Sequence, residues 1–474
     1  MDAVEKKKEE IAGLLKRGIR PYPHRFHKTH WAGSILQNPQ GEVKTAGRLV
    51  QIRAMGKASF AHLMDSTGKI QIYLKQDRLG SEAYEFFKRD IHIGDFIGVE
   101  GTVFQTKTGE TTVDVKSLEL LSKSLRPLPE KWHGLKDTEA RYRRRYLDLI
   151  ANEPVRKLFE AKAKILSALR DTLKERNFLE VTTPILQPQA GGAAAKPFGT
   201  YHQALQSKLY LRIALELHLK RLLVGGYERV YEIGPCFRNE GIDTRHNPEF
   251  TMLEAYQAYA DYQDMAELAE DLVTHAAQAV GAELSRPFKK KRLPELWNEF
   301  LGEDIHLCLN GKAFRRSELE RLARTHQIPI QNDVPEAKLF DRLMDAKILP
   351  QLEAPTFVLD YPTAVSPLAK LLPDDPALVE RFELFIHTEE IANAFTELND
   401  PVDQRERFEE QLRQKKCGNE EAQTLDEDFV EALEYGMPPA GGIGIGIERL
   451  MMILTKQNSI REVILFPVLK PESQ

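Results

Sequence analysis

The chain has 474 residues, 42% hydrophobic and 29% charged, the make-up of a globular protein with core enough for two to four domains. No run of about 18 apolar residues exists to span a membrane, the start MDAVEKKKEEIAGLLKRG lacks the apolar centre of a secretory signal, and three cysteines (Cys236, Cys308, Cys417) without CxxC spacing fit neither a disulfide framework nor a structural zinc site, so a cytoplasmic setting is expected. The net charge of −5 hides a split, with 27 Lys+Arg against 19 Asp+Glu in residues 1–150 and 39 against 52 in the remainder; a basic first third suits phosphates and an acidic remainder a cationic substrate, although charge alone is read equally well as ordinary variation between domains.

Residues 1–20 read as a short amphipathic helix closed by Pro21 and Pro23, the core of an N-terminal helical extension over 1–42. From Val43 the apolar residues alternate or cluster in short runs, VKTAGRLVQIRAM, KASFAHLMD, GKIQIYLK, DFIGVEGTVFQTK and TTVDVKSLELL, with turn-like STGK and KTGE between some of them. A helical segment near 80–88 falls between the third and fourth runs. That order predicts a five-stranded OB-fold β-barrel over 43–125. Pro127, Pro129 and the run ARYRRRYLDL mark a linker over 126–150, and Pro154 is placed to open a long helix through about Arg176. Beyond it, strands are expected at 208–213, 229–237, 250–260, 356–361, 381–386, 389–396 and 442–447. They predict an α+β domain over 151–474 with a mainly antiparallel β-sheet flanked by helices. Residues 280–350, poorer in motifs, read as a small helical insertion.

Three segments carry chemistry. FRNEGIDTRHNPEFTMLEAYQAY, Phe237 to Tyr259, runs from strand through polar loop to strand. Its arginines would fork onto phosphate oxygens, its aromatic stack on a base and a carboxylate accept from an exocyclic amine. GGIGIGIERL, Gly441 to Leu450, is a glycine-alternating strand that lets another group approach closely before a helix bearing Arg449. It has neither GxGxxG spacing nor a GK[ST] phosphate loop. In RFELFIHTEEIANAFTELND, Arg381 to Asp400, Glu383 and Glu390 fit neighbouring strands beside Mg²⁺. Asn393, Phe395 and Glu397 share one strand face there, as Glu254 and Tyr256 do in theirs, making an acidic, partly aromatic pocket for a long ammonium side chain. Taken singly, each segment has a plainer reading: a solvated hairpin tip, a glycine-rich core strand, ordinary exposed carboxylates.

Taken together, the segments resemble the class II aminoacyl-tRNA synthetases. The FRNE…RHNPEF loop resembles motif 2 (about 229–260), GIGIGIERL resembles motif 3 (about 441–455), and the helix from Pro154 followed by FLEVTTPIL resembles the dimer-forming motif 1 (about 154–186). GGAAAKPFGTYHQAL, YLRIALELHLKRLLVGGYERVYEIG, SPLAK, IANAFTELNDP and EYGMPPA are similar to the lysyl branch of class IIb, and GKASFAHLMD, GKIQIYL and TKTGE to that branch's OB-fold anticodon domain.

The resemblance implies a lysine–tRNA ligase activity with ATP, L-lysine and tRNA(Lys) as partners, up to three Mg²⁺ per active site, a homodimer, and neither membrane nor DNA. Lysyl-adenylate would form first, and the lysyl group would then pass to the 3′-terminal adenosine. By resemblance, Arg238 and Arg449 are the catalytic arginines. Arg238 would bridge the lysine carboxylate and the α-phosphate, Glu240 meet the adenine amine, and Phe250 and Arg449 sandwich the ring. Arg245, His246 and Arg449 would hold the outer phosphates, and Glu383 and Glu390 the metal. Glu254, Glu397 and Tyr256 would face the ε-ammonium, and Glu216 and Gly192 the α-amino group. Asn393 and Phe395 would complete the wall, and Gly444 leave room. Arg53, Phe60, Gln71 and Glu110 would bind anticodon bases.

His92-Ile93-Gly94-Asp95 echoes a class I signature but lacks that class's partner motif and reads as structural. The rival readings are an aspartyl or asparaginyl synthetase, whose pocket needs a cation or amide, a lysyl transferase, which lacks the barrel, and a non-catalytic tRNA-binding paralogue, which would have lost Arg238, Arg449 or the metal carboxylates.

Overall fold

The computed structural model describes residues 3–128, 135, 137–330, 334–416 and 424–472; Pro129 of the expected linker and Cys417 lie outside them. The chain divides into two units, Met1–Lys136 and Asp137–Gln474.

In the first unit, alternation produces the strands. β1 (Glu42–Met55), β2 (Ala58–Met64), β3 (Lys69–Lys75), β4 (Phe96–Gln105) and β5 (Thr111–Ser122) close into a barrel in the order β1-β2-β3-β5-β4. The inward residues, among them Leu49, Leu63, Ile72, Ile97 and Val113, are buried. Helix α1 (Ala3–Lys16) and helix α2 (Ala32–Gln37) put Leu14, Ala32 and Ile35 into the same core, so the N-terminal segment packs on the barrel it precedes. Helix α3 (Ser81–Asp90) separates β3 from β4 and contributes Tyr84 and Phe87. The class I echo is a turn before β4: buried Asp95 accepts from the backbone N–H groups of His92 and Ser124 and pairs with the Lys123 ammonium at 2.8 Å.

The second unit is built on one twisted sheet. Its long strands are β7 (Arg229–Phe237), β8 (Glu249–Ala258), β10 (Thr356–Pro362), β11 (Asp375–Ile386), β12 (Glu389–Thr396) and β13 (Ala440–Gly446). Short β6 (Leu179–Glu180) and β9 (Lys289–Arg292) add at the two edges in parallel, and the order is β9-β10-β11-β12-β13-β8-β7-β6. The six long strands pair antiparallel, as alternation predicted.

One sheet face packs on helices α4 (Glu153–Glu175) and α6 (Tyr262–Ala279); α5 (Glu216–Val224) lies between them in sequence and runs on the opposite side, near the acidic residues described below. Pro154 stands in the first turn of α4, where its missing N–H costs nothing. Leu169 and Leu173 of α4 and Leu272 and Val273 of α6 meet Ile443 and Ile445 of β13 in the principal core. Residues 280–350 hold α7 (Leu293–Leu301), α8 (Arg316–Thr325) and α9 (Glu336–Leu343), but they also supply the edge strand β9, and Trp297 stacks on Phe340 to give them their own core. After Pro362 the chain continues through α10 (Pro401–Lys416) and α11 (Glu427–Glu434) to α12 (Ile447–Leu454), which follows β13 directly.

Candidate active site

The sheet face opposite the helices opens into a cavity of about 780 Å³. Strand β13 shapes it. With period two, Ile443 and Ile445 point into the core, and Gly442 and Gly444 leave the cavity face bare. Gly442 pairs in register with Tyr256 and Phe395, and Gly444 with Glu254 and Asn393, so the side chains that sequence alternation grouped do meet around two glycines. A Cβ on Gly442 would fall 2.0 Å from Glu397 Oε1 and 2.5 Å from the Tyr256 ring, whereas one on Gly444 would come no closer than 3.1 Å, to the end of Met252. Gly442 is therefore the tighter position, although Gly444 was the one expected to make room.

At one end of the cavity lie the basic residues of the loop between β7 and β8. The Arg238 guanidinium sits 5.1 Å over the Phe250 ring, and its buried Nε has no hydrogen-bond partner among the described residues. A buried donor left this way costs free energy until an acceptor arrives. Glu240 lines the cavity nearby. Arg245 pairs with Glu389 at 2.7 Å, and His246 with Asp243 at 2.9 Å. Asp243, which sequence reasoning missed, also accepts from the backbone N–H groups of Arg245 and His246 and so fixes the loop tip. Arg449, at the start of α12, pairs with Glu390 at 3.0 Å.

Glu383 and Glu390 occupy adjacent strands β11 and β12. Glu383 accepts from the Tyr361 hydroxyl at 2.8 Å and pairs with Arg381. Arg381 also donates to Asn393 Oδ1 at 3.1 Å and to Ser366 Oγ at 2.9 Å. It thereby orients one expected metal ligand and one expected pocket wall, and nothing in its sequence context marked it. The insertion supplies Asp341 and Asp345 to the same wall. Burial, with Glu383 adding to it, pushes the Asp341 carboxyl up to about 7. Among the described residues no three His, Cys, Asp or Glu side chains converge into a ready-made metal site.

At the other end the carboxylates Glu216, Glu254 and Glu397 are all buried. Glu254 accepts from the Leu215 backbone N–H at 3.0 Å and the Tyr256 hydroxyl at 2.9 Å. Gly192, at φ +86°, passes close to Glu216: a Cβ there would lie 3.2 Å from the Glu216 Cβ. Glu397 departs from expectation. It does not line the cavity but stands behind Tyr256, Phe395 and Gly442, ion-paired with Lys220. Burial raises the carboxyl pKa of both Glu216 and Glu397, against the pull of Lys220. Lys220 was also missed.

The barrel carries the remaining expected residues. Arg53 faces Phe60 across β1 and β2, and Phe60 packs against Tyr73 with the rings tilted and their centroids 4.7 Å apart, Phe104 meeting Tyr73 edge-on at 6.2 Å. That half-buried aromatic row extends beyond the single ring the sequence reading chose. Glu110 is exposed and held by Gln71 Nε2 at 2.6 Å and His62 Nε2 at 3.0 Å. Gln71 itself is buried, with its carbonyl taken by Thr112 at 2.9 Å. Both of its amide ends are engaged inside the protein, so it braces Glu110 where it was expected to meet a base.

Residues 137–470 match the model of the family described as tRNA synthetases class II (D, K and N), and residues 43–121 that of the OB-fold nucleic acid binding domain. The chain is similar to the lysine–tRNA ligase of Carboxydothermus hydrogenoformans, 51% identical over 487 residues that cover 99% of this chain and 98% of the relative. It is likewise similar to the proteins of that name from Aquifex aeolicus, at 53% identity with 91% and 74% covered, and from Staphylococcus epidermidis, at 46% with 99% and 98% covered.

The acidic end makes a prediction about stability. Burial, then the charge of Glu216, pushes the Glu254 carboxyl up to about 7. A carboxyl raised on folding binds a proton more tightly in the native state, so native stability is lost as pH climbs from the ordinary carboxylate range through about 7. Glu254→Gln, which needs no proton, should melt higher than the unaltered protein at about pH 8 and differ little from it at about pH 5. Calorimetry at the two pH values reads this directly, and a lower Tm for the variant at the higher pH would contradict it.

Proposed function

The chain belongs to the class II tRNA synthetases (D, K and N) and carries an OB-fold domain ahead of the synthetase domain, and from that premise we propose that it is a lysine–tRNA ligase, which activates L-lysine with ATP and esterifies it to tRNA(Lys). The observation that carries the choice of amino acid is a set of buried carboxylates: Glu216 and Glu254 line, with Tyr256, one end of a cavity whose other end holds Arg238, Arg245 and Arg449, and Glu397 stands behind Tyr256. An aspartate or asparagine pocket needs a cation or amide facing the substrate. Of the cations beside these carboxylates, Lys220 is shared between Glu216 and Glu397 and does not line the cavity, and Arg381, which does, is paired with Glu383.

In the first step the lysine carboxylate attacks the α-phosphorus of ATP in line. An oxygen–phosphorus bond forms, the bond to the bridging oxygen breaks, and pyrophosphate leaves with that electron pair. The nucleophile is already anionic, so no protein base is required, and catalysis rests on positioning and charge neutralisation. Arg238, with its unpartnered Nε, would fork between the lysine carboxylate and the α-phosphate. Phe250 and Arg449 would flank adenine, Glu240 would accept from its amine, and Arg245 and His246 would reach the outer phosphates. In the second step a ribose hydroxyl of the terminal adenosine attacks the lysyl carbonyl and AMP departs.

Glu383 and Glu390 would hold Mg²⁺, which when bound neutralises phosphate charge. The donor set fits: these are hard oxygen ligands on adjacent strands, and the raised pKa values of Glu383 and Asp341, both driven first by burial, mark a crowding of carboxylates that a cation relieves. The described residues offer too few ligands for a closed cage, in keeping with a small cation that takes its remaining oxygens from phosphate and water.

The barrel would bind the anticodon, with Phe60, Tyr73 and Phe104 as a stacking platform and Glu110 and Arg53 at its edges. The exposed apolar residues Leu179, Ile185 and Leu186, just after α4, support a homodimer through that segment. Among the described residues no helix is long and apolar enough to cross a membrane, and the substrates proposed here would suit a cytoplasmic enzyme that works without a membrane or DNA partner.

Full-length protein should exchange pyrophosphate into ATP with lysine and not with aspartate or asparagine; exchange with either of those and none with lysine would sink the reading. Arg238→Ala should cut that exchange by at least about 100-fold, the usual loss when a group meeting transition-state charge is removed, and a folded variant with near-normal exchange would refute the role. Phe60→Ala and Glu110→Ala should lower tRNA charging and spare exchange, since stacking supplies about 1–3 kcal/mol per base. Equal losses of both activities in Phe60→Ala would make Phe60 a barrel core residue. Sedimentation under exchange conditions should report a dimer, and a monomer would contradict the proposed interface.

A further inference from the structure

Lys220 has no part in the chemistry described so far. It lies one helical turn after Glu216 on α5 and is fully buried. Its Nζ meets Glu216 Oε1 at 2.5 Å and pairs with Glu397 Oε2. The rings of Phe395 and Phe429 lie 5.4 and 5.9 Å away. Burial pulls the ammonium pKa down, but Glu216 and Glu397 outweigh it and leave the group more firmly protonated than a lysine in water. Glu397 Oε1 has no hydrogen-bond partner among the described residues and sits where a Cβ on Gly442 would fall.

A buried ammonium is costly unless it balances something. Here three buried carboxylates face it or one another: Glu216 on α5, Glu254 on β8 and Glu397 after β12. Arg381 of β11 acts on Glu216 and Arg238 on Glu254, both at longer range. The neighbouring hydroxyl, Tyr256, is held neutral by burial and by these carboxylates. When ionised, the three carboxylates carry three negative charges. Lys220 cancels one. The two that remain equal the two ammonium groups that a lysine substrate brings.

We propose that Lys220 is the built-in counter-cation of the amino-acid pocket, a positioning residue that neutralises one of three buried carboxylates so that the remaining two match the α- and ε-ammonium groups of the substrate. The inference rests on the lysine reading above. Lys220 also fixes Glu397 by its Oε2, which leaves Oε1 turned toward the cavity wall at Gly442. Without the ammonium, Glu216 and Glu397 repel each other and take up protons, and a substrate ammonium must displace those protons to bind. The defect should therefore appear in lysine binding, and it should ease as pH rises.

The test is pyrophosphate exchange by Lys220→Met, with lysine and ATP titrated separately between about pH 6 and pH 9. The lysine KM should rise at least about tenfold, the size expected when a buried charge loses its partner. The ATP KM should stay within about twofold. The pH at which the lysine KM falls should move upward relative to the unaltered protein. In Lys220→Ala, n-propylammonium, which restores the missing part of the side chain, should lower the lysine KM, whereas tetramethylammonium should not. An unchanged lysine KM and pH profile in folded Lys220→Met overturns the inference, and so does an equal loss in both KM values and kcat, the pattern of general disruption. If the Met and Ala variants do not fold, Lys220→Arg decides. It keeps the charge, so its pH profile should follow the unaltered protein even where the lysine KM rises, and a shifted profile overturns the inference. If the unaltered protein shows no lysine-dependent exchange, the functional reading itself falls; a Lys220 variant that behaves like the unaltered protein fells only the inference.

Discussion

A single carboxylate ties together the parts of the catalytic unit. Glu448, in the first turn of α12, accepts from the backbone N–H and hydroxyl of Thr251 on β8 at 2.8 and 2.9 Å and from the Lys162 ammonium on α4 at 2.9 Å. The three segments that resemble family motifs are thus joined at one buried side chain, and the next residue, Arg449, lines the cavity. A buried carboxylate stripped of such partners is strongly destabilising. The position of Arg449 therefore depends on contacts made by the residue that precedes it.

Around that joint the sheet separates two tasks by its period of two. Ile443 and Ile445 complete an apolar core against α4 and α6, and the glycines between them give the opposite face to the substrate. Charge is distributed along this face as well. Guanidinium groups collect where phosphate would lie and carboxylates where ammonium would lie, so the substrates of the first step would be oriented before any bond changes. The ion pairs Arg245–Glu389 and Arg449–Glu390 tie some of these groups to carboxylates on β12.

Alternation and turn chemistry made the barrel and the strands legible, because burial of one face imprints a period of two on sequence wherever a strand is half exposed. Glu254 with Tyr256, and Asn393 with Phe395, were grouped from sequence because alternation puts each pair on one face of its strand, and the register sets both pairs beside Gly442 and Gly444. Lys220 and Arg381 were not. A lysine on a helix among leucines reads as a solvated position, and its burial between Glu216 and Glu397 depends on residues 177 positions further along the chain. Asp341 and Asp345 were hidden for the same reason, since only the packing of the insertion against the sheet brings them to the cavity. Gln71 was misplaced because its residue type predicts hydrogen bonding and cannot say to which side of the barrel wall the amide turns.

The two glycines of β13 give the amino-acid end one rigid wall and one yielding wall. At Gly442 the neighbour is a carboxylate pinned by an ammonium, and at Gly444 it is the terminal methyl of Met252, the loose end of an unbranched side chain. Any change in the size of amino acid accepted, whether by drift or by redesign for a lysine analogue with a modified stem, has its accessible route through the Met252–Gly444 side. On the lysine reading, the Gly442 side would set the charge of the amino acid and the Met252 side how much hydrocarbon may accompany it.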